Sequence, residues 1–275
     1  MMEQSDNPQD IMLARRLERI RFRVAVMSGK GGVGKSTISA NLAWLLAQGE
    51  RETGLLDTDL HGPNLPLMLG VEKACFTPLG EDEIEPVPVA PHLRLASVGN
   101  IGHDPRKAFI WRGPMKLGVI RQFLACVVWS DLDYLVIDTP PGTGDEVLTI
   151  GQYAAPVTGA VIVTTPQDVA VLDARKSVDF ALQMNIPVIG IVENMSDGEG
   201  MALFGHGGGE RAARELSVPF LGRVSLDPRL VRSGDTGRPF VADHPETATG
   251  RELAGILDRV MAWCEESPED PSGKD

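Results

Sequence analysis

Two hydrophobic patterns alternate along the chain. Short continuous apolar runs (Val24-Ala25-Val26, Tyr134-Leu135-Val136-Ile137, Ala160-Val161-Ile162-Val163) are separated by longer stretches with apolar residues at helical spacing. Continuous runs of this length suit strands buried on both faces, and the spaced stretches suit helices that cover them. Read in order, the pattern predicts an amphipathic helix from Gln9 through Ile11, Ala14, Leu17 and Ile20, then a strand over 22–27 and a helix over 35–47 closed by Gly49. Strands follow over 53–56 and 93–98, then a helix within 111–129 beginning near Pro114 and a strand over 134–137. The second half alternates a short helix over 146–153, a strand over 159–164, a helix over 169–184, a strand over 188–192, a helix over 210–216, a strand over 219–224 and a last helix over 247–264. The prolines and glycines of residues 60–70 bar a long helix there, and residues 72–91 read as an acidic, proline-rich surface insertion. The fold class is α/β: a mostly parallel sheet with helices on both faces and chemistry at the carboxyl ends of the strands. Residues 1–21 are expected to form an N-terminal extension with a short helix, residues 22–266 the main domain and residues 267–275 an acidic tail.

The first strand runs into Gly29-Lys30-Gly31-Gly32-Val33-Gly34-Lys35-Ser36-Thr37. This is G-x-x-x-x-G-K-[ST] between a strand and a helix, the P-loop pattern. Its backbone N–H groups and the helix N-terminus bind phosphate, Lys35 reaches the outer phosphates, and the Ser36 hydroxyl ligates Mg²⁺. Gly29, Gly31 and Gly34 also spell the dinucleotide fingerprint G-x-G-x-x-G, with Asp57 where a ribose-binding acid would stand. The Lys35-Ser36-Thr37 ending decides for a triphosphate, because a dinucleotide site has no use for that lysine and hydroxyl.

A P-loop enzyme needs a second magnesium-side acid, and Asp138 supplies it at the end of an apolar strand. Asp57 and Asp59 add carboxylates near the same phosphates; Asp59, further into its loop, is assigned to orienting the attacking water and Asp57 to the magnesium side. Lys30 lies inside the loop, where a cation can neutralise charge in phosphoryl transfer as an arginine finger does.

Net charge is −12, which disfavours a broad electrostatic attraction to nucleic acid or to an anionic membrane. Five arginines between Arg15 and Arg23 read as a solvated helix face. No apolar run approaches the ~20 residues of a membrane span, the start is polar and acidic, and the expected compartment is the cytoplasm. Cys75, Cys126 and Cys264 are far apart in sequence and form no Cys-x-x-Cys.

GKGGVGKST, with Lys30, resembles the deviant Walker A of the ParA/MinD/nitrogenase-iron-protein class of P-loop NTPases. Within that class, LLDTDLHGPNLPLMLG, DYLVIDTPPGTGDE, VTTPQDVAVLDARKSV, GIVENMS, FGHGGGE and LDPRLVRSGDTGRP resemble the Mrp/ApbC iron–sulfur cluster carrier ATPases, in order and from about Arg23 to the last helix. The resemblance implies a homodimer with ATP and Mg²⁺ at the interface, Lys30 reaching the partner's nucleotide, Asp59 serving hydrolysis and Asn194 contacting adenine. It also implies that ATP drives handling of an iron–sulfur cluster for apoproteins or assembly factors; a ParA/MinD-like positioning switch is the alternative use of the same loop. The chain departs from the family between ENMS and FGHGGGE. The family's Cys-x-x-Cys belongs there, and this sequence has a shorter, cysteine-free interval from Asp197 to Leu203, with Glu199 and His206 poor substitutes for thiolates.

Overall fold

The computed structural model describes residues 8–80, 83–101, 113–198 and 203–266. Residues 1–7, the tail 267–275 and Glu199 lie outside the described residues. The elements are α1 (Pro8–Leu17), β1 (Ile20–Met27), α2 (Lys35–Gln48), β2 (Thr53–Asp57), α3 (Leu65–Met68), β3 (Thr77–Pro78), β4 (Ile84–Glu85), β5 (Val87–Ala90), β6 (Leu93–Ser97), α4 (Gly113–Cys126) and β7 (Leu132–Asp138). They continue with α5 (Asp145–Tyr153), β8 (Gly159–Thr164), α6 (Asp168–Gln183), β9 (Val188–Ser196), α7 (Gly208–Leu216), β10 (Phe220–Ser225), α8 (Pro228–Thr236), α9 (Phe240–Asp243) and α10 (Ala248–Glu266).

Among the described residues, eight strands form one sheet in the order β10-β9-β8-β1-β7-β2-β6-β5. Neighbours are parallel throughout except for β5, which closes one edge antiparallel to β6. Strand β1 shows why its sequence is apolar without alternation. Phe22, Val24 and Val26 point into a layer with Ile38, Leu42 and Leu46 of α2 and Leu253, Ile256 and Val260 of α10. Ala25 and Met27 point into the opposite layer, with Phe123 of α4, Val147 of α5, Val171 and Val178 of α6 and Ala212 of α7. Each such aliphatic or aromatic side chain removed from water contributes about 1.5–3 kcal/mol, so both faces of the sheet are committed to the core.

Leu13 and Leu17 of α1 join the second of these layers, and α1 packs on α4. Strand β1 starts two residues earlier than its apolar run suggests, at Ile20, because its register with β7 begins at Leu132. The stretch expected as surface insertion contributes β5 to the main sheet, with Val87 buried. Pro88 is tolerated there because an edge strand leaves N–H groups that no neighbour needs. Helix α8 escaped the periodicity, although Asp227-Pro228 is a start signal. The Asp227 side chain accepts a hydrogen bond from the Arg229 N–H, and Pro228 occupies the first turn. Strand β1 lies between β7 and β8, where the sheet order reverses, and this places the loop that follows β1 at the crevice where α/β proteins bind ligands.

Candidate functional site

The loop over 28–34 leaves β1 and turns into α2. Gly32 and Gly34 have φ of 80° and 85°, a region that costs side chains with a Cβ but not glycine. Gly34 is the residue before α2 and caps it with no side chain, so the first-turn N–H groups stay available to an anion. Gly29 lies so close to the backbone of Asp173 in α6 that a Cβ would overlap its carbonyl, which fixes the loop against α6.

Four side chains converge beside this loop. Lys35 Nζ lies 2.8 Å from Asp138 Oδ1, with both side chains buried. The Ser36 hydroxyl donates to Asp138 Oδ2 at 2.7 Å, and the Ser39 hydroxyl, one helical turn on, donates to Oδ1 at 2.6 Å. Asp138 ends β7 directly beside Asp57 at the end of β2. Asp57 accepts from Ser97 Oγ at 2.9 Å; its carboxyl is pushed up to about 8, first by burial and then by the charge of Asp138. Among the described residues, no group of three or more His, Cys, Asp and Glu could hold a metal ion. The Ser36 hydroxyl and the Asp138 carboxylate are hard oxygen donors that suit Mg²⁺, and such an ion would take its remaining ligands from water and phosphate oxygens.

Asp59 does not continue the strand. Strand β2 ends at Asp57, and Asp59 sits in the following loop, where its Oδ1 accepts the N–H groups of His61 and Gly62 at 3.1 and 3.2 Å. Asp57 Oδ1 accepts the Asp59 N–H at 3.1 Å, so the two acids are linked through the backbone and not by a shared strand face. Lys30 is partly exposed at the loop's outer turn, and its ammonium makes no ion pair with a described residue.

Asn194, buried near the end of β9, donates from Nδ2 to the Val33 carbonyl of the phosphate loop at 2.8 Å. It lines a cavity of about 330 Å³ with Thr37, Asn64, Leu226, Asp227 and Asp235. This cavity adjoins the start of α2 and has the mixed apolar and polar wall of a small-molecule site.

Pattern reading overlooked two carboxylates. Glu193, next to Asn194 on β9, is fully buried and accepts the N–H groups of Gly207 and Gly209 at 2.9 and 2.7 Å and the Ser196 hydroxyl at 2.8 Å. Asp197 Oδ2 accepts the N–H groups of Leu203, Phe204 and Gly205 at 2.6, 2.9 and 2.7 Å. Burial works against its charge, and these three donors outweigh it, holding the carboxyl below the ordinary carboxylate range. The Gly-rich stretch allows two close approaches: a Cβ on Gly208 would overlap the Pro166 carbonyl, and one on Gly209 would lie 2.9 Å from the Glu193 Cβ. The cysteines are not brought to the site as a pair. Cys75 is exposed, Cys126 half-buried and Cys264 buried, and burial pushes the Cys264 thiol up to about 12.

A family model described as ParA, NUBPL iron-transfer P-loop NTPase, matches residues 19–261. The iron–sulfur cluster carrier protein of Methanocaldococcus jannaschii is 48% identical over 264 residues, covering 94% of this chain and 90% of that protein. The protein of the same name from Saccharolobus solfataricus is 41% identical over 262 residues, covering 93% and 88%. Among solved structures, the nucleotide-binding protein of Archaeoglobus fulgidus in complex with ADP superposes with a TM-score of 0.72 at 39% identity, covering 83% of this chain and 91% of that one. The septum site-determining protein MinD of Pyrococcus horikoshii with Mg-ADP shares the fold, with a TM-score of 0.66 at 23% identity over 87% of this chain and 95% of that one.

Proposed function

The chain belongs to the NUBPL iron-transfer P-loop NTPase family, and on that premise we propose that it is an Mg-ATP-dependent homodimeric ATPase acting in iron–sulfur protein assembly. The observation that carries this reading is the convergence of Lys35, Ser36 and Ser39 on Asp138 at the N-terminus of α2. In the proposed cycle, Lys35 turns from Asp138 to the outer phosphates. Ser36 and Asp138 would hold Mg²⁺, with Asp57 behind them, and the Gly29–Thr37 backbone would bind the phosphate chain. The cavity beside Asn194 takes the nucleoside. Asp59 orients water for attack on the terminal phosphate. Lys30, with no described acid to pair with, reaches across to the nucleotide of a second copy, and hydrolysis is therefore slow in the monomer.

An iron–sulfur cluster would be cargo here, and this chain's residues do not fit the usual way of carrying it. The cysteine pair is absent, Cys264 is buried, and one exposed cysteine per subunit gives a symmetric dimer two thiolates where a [4Fe–4S] cluster takes four. The proposed role is a nucleotide-driven adaptor between assembly factors and apoproteins. Anaerobic reconstitution with iron and sulfide, with and without Mg-ATP, followed by iron analysis and Mg-ATP turnover on the same sample, tests it. Mg-dependent turnover with no bound iron is the expected result. A stable cluster would overturn the adaptor role, and absence of Mg-dependent turnover would overturn the ATPase.

A further inference from the structure

Strand β10 is the second edge of the main sheet. Helix α10 runs back along it and leaves an open groove of about 530 Å³. The groove exists because the facing positions are small. Gly222 on β10 has a φ of 139°, which disfavours any residue with a Cβ, and Ala248 and Gly255 on α10 leave the opposite wall bare. Phe220 gives the floor its apolar area.

The rim is basic. Arg223, Arg251 and Arg259 stand around the groove. Arg259 Nη1 donates to the Leu221 carbonyl at 2.7 Å, which holds its guanidinium against the strand. Arg223 pairs with Glu210 at 3.2 Å, and Glu210 also faces Arg214 at 3.7 Å. Arg251 is exposed and pairs with no described acid. The acid inside the groove, Glu252, is engaged by neutral donors, the N–H and hydroxyl of Ser225, each at 2.8 Å. Asp258 is exposed on the same side of α10, next to Arg259. The lining itself carries three arginines against one acid, on a chain of net charge −12.

We propose that the groove between β10 and α10 is a docking site for an extended acidic segment of a partner protein, its carboxylates held by Arg223, Arg251 and Arg259 and an apolar side chain seated over Gly222 and Gly255. Arginine forks suit carboxylates in two-point geometry. A groove with a bare apolar floor along a sheet edge suits an extended peptide. Nucleic acid fits less well, because the net charge of the chain repels a long polyanion and the rim offers few phosphate contacts. The site is separate from the phosphate loop but not remote from the nucleotide cavity: Ser225, held by Glu252, is part of that cavity's wall.

The test is fluorescence anisotropy on the full chain with a fluorescein-labelled nonapeptide of alternating glutamate and leucine. A lysine–leucine peptide and a labelled oligothymidylate of 15 nucleotides serve as comparison probes. The acidic peptide alone is expected to bind, more weakly as salt is raised. Arg251→Glu should weaken it at least tenfold. Gly255→Leu should do the same by filling the groove; its Cβ meets only Arg259 Nη1 at 3.9 Å, and leucine is a better helix former than glycine, so the fold tolerates it. Mg-ATP turnover should be unchanged in both variants, which separates this proposal from the ATPase reading. Absence of acidic-peptide binding, preference for either comparison probe, or wild-type affinity in both variants would overturn the docking site.

Discussion

The ammonium of Lys35 lies 2.8 Å from Asp138 Oδ1 with both side chains buried, and the Ser36 and Ser39 hydroxyls donate to the same carboxylate. On the proposed reading, Asp138 holds the place beside Lys35 that a phosphate would take over. A buried ion pair costs more to break on one side than it is worth intact, because the survivor is left unpaired.

Lys35→Ala should therefore act twice. Loss of a charge-assisted contact worth about 1.5–3 kcal/mol predicts a roughly 10- to 150-fold weaker affinity for ATP. The abandoned Asp138 should lower thermal stability, softened by its two serine donors. Titration calorimetry and a melting curve on the same preparation separate the two effects. Unchanged affinity would remove Lys35 from the phosphate site.

Asp59→Ala should bind ATP as well as the wild type and lose hydrolysis by about 10²–10⁴-fold, the usual range for removing a general acid–base group. Its loop position, bonded to the His61 and Gly62 N–H groups, makes a local loosening of 59–62 the competing outcome. Asp59→Asn keeps the acceptor oxygen, so it should preserve the loop and still fail to hydrolyse. Recovery of turnover in Asp59→Asn would make the role structural.

Lys30→Ala should leave nucleotide affinity of the monomer within a few-fold and abolish the ATP-dependent dimer together with turnover. Light scattering after size exclusion, with and without Mg-ATP, reads the dimer directly. A normal dimer with normal turnover would show that the lysine is only a solvated loop residue.

Gly208→Ala should destabilise the protein, because its Cβ would overlap the Pro166 carbonyl oxygen. Overpacking of this kind costs about 1–3 kcal/mol, which lowers Tm by roughly 2–12 °C for a chain of this size. Calorimetry at fixed scan rate gives the answer, and an unchanged Tm would contradict the close approach of α7 to the β8–α6 turn.

In the native state, Cys75 should react with iodoacetamide far faster than Cys264. Cys75 is exposed, whereas Cys264 is buried with its thiol pushed up to about 12. Thiolate is the reacting form, so the difference should persist from pH 7 to pH 9. Peptide mass spectrometry over a time course reads both sites at once, and comparable rates would show Cys264 to be open.

The phosphate loop was legible because its residue types dictate its own backbone. Glycines at positive φ, then Lys35 and Ser36 at the start of a helix, need no distant partner to be recognised. The central strands were legible because burial on both faces leaves an uninterrupted apolar run. Strand β5 was hidden by Pro88 and by acidic neighbours, features that only an edge position accommodates. The linkage of Asp57 to Ser97 depends on which strands lie side by side, and no spacing along the chain reveals that. Glu193 and Asp197 were missed for another reason. Their partners are backbone N–H groups several residues onward, which carry no side-chain signature. The repeated glycines at 207–209 were the available trace, since such a run implies close approach to something buried.

Glu193 and Asp197 hold the backbone on the far side of the cysteine-free interval, at Leu203–Gly205 and at Gly207 and Gly209. Asp197 therefore closes the interval, one carboxylate oxygen holding the N–H groups of Leu203, Phe204 and Gly205. Asn194, next to Glu193, holds the Val33 carbonyl of the phosphate loop from outside that interval. The anchoring groups lie outside residues 198–202, which makes that interval a practical place to graft a cysteine pair.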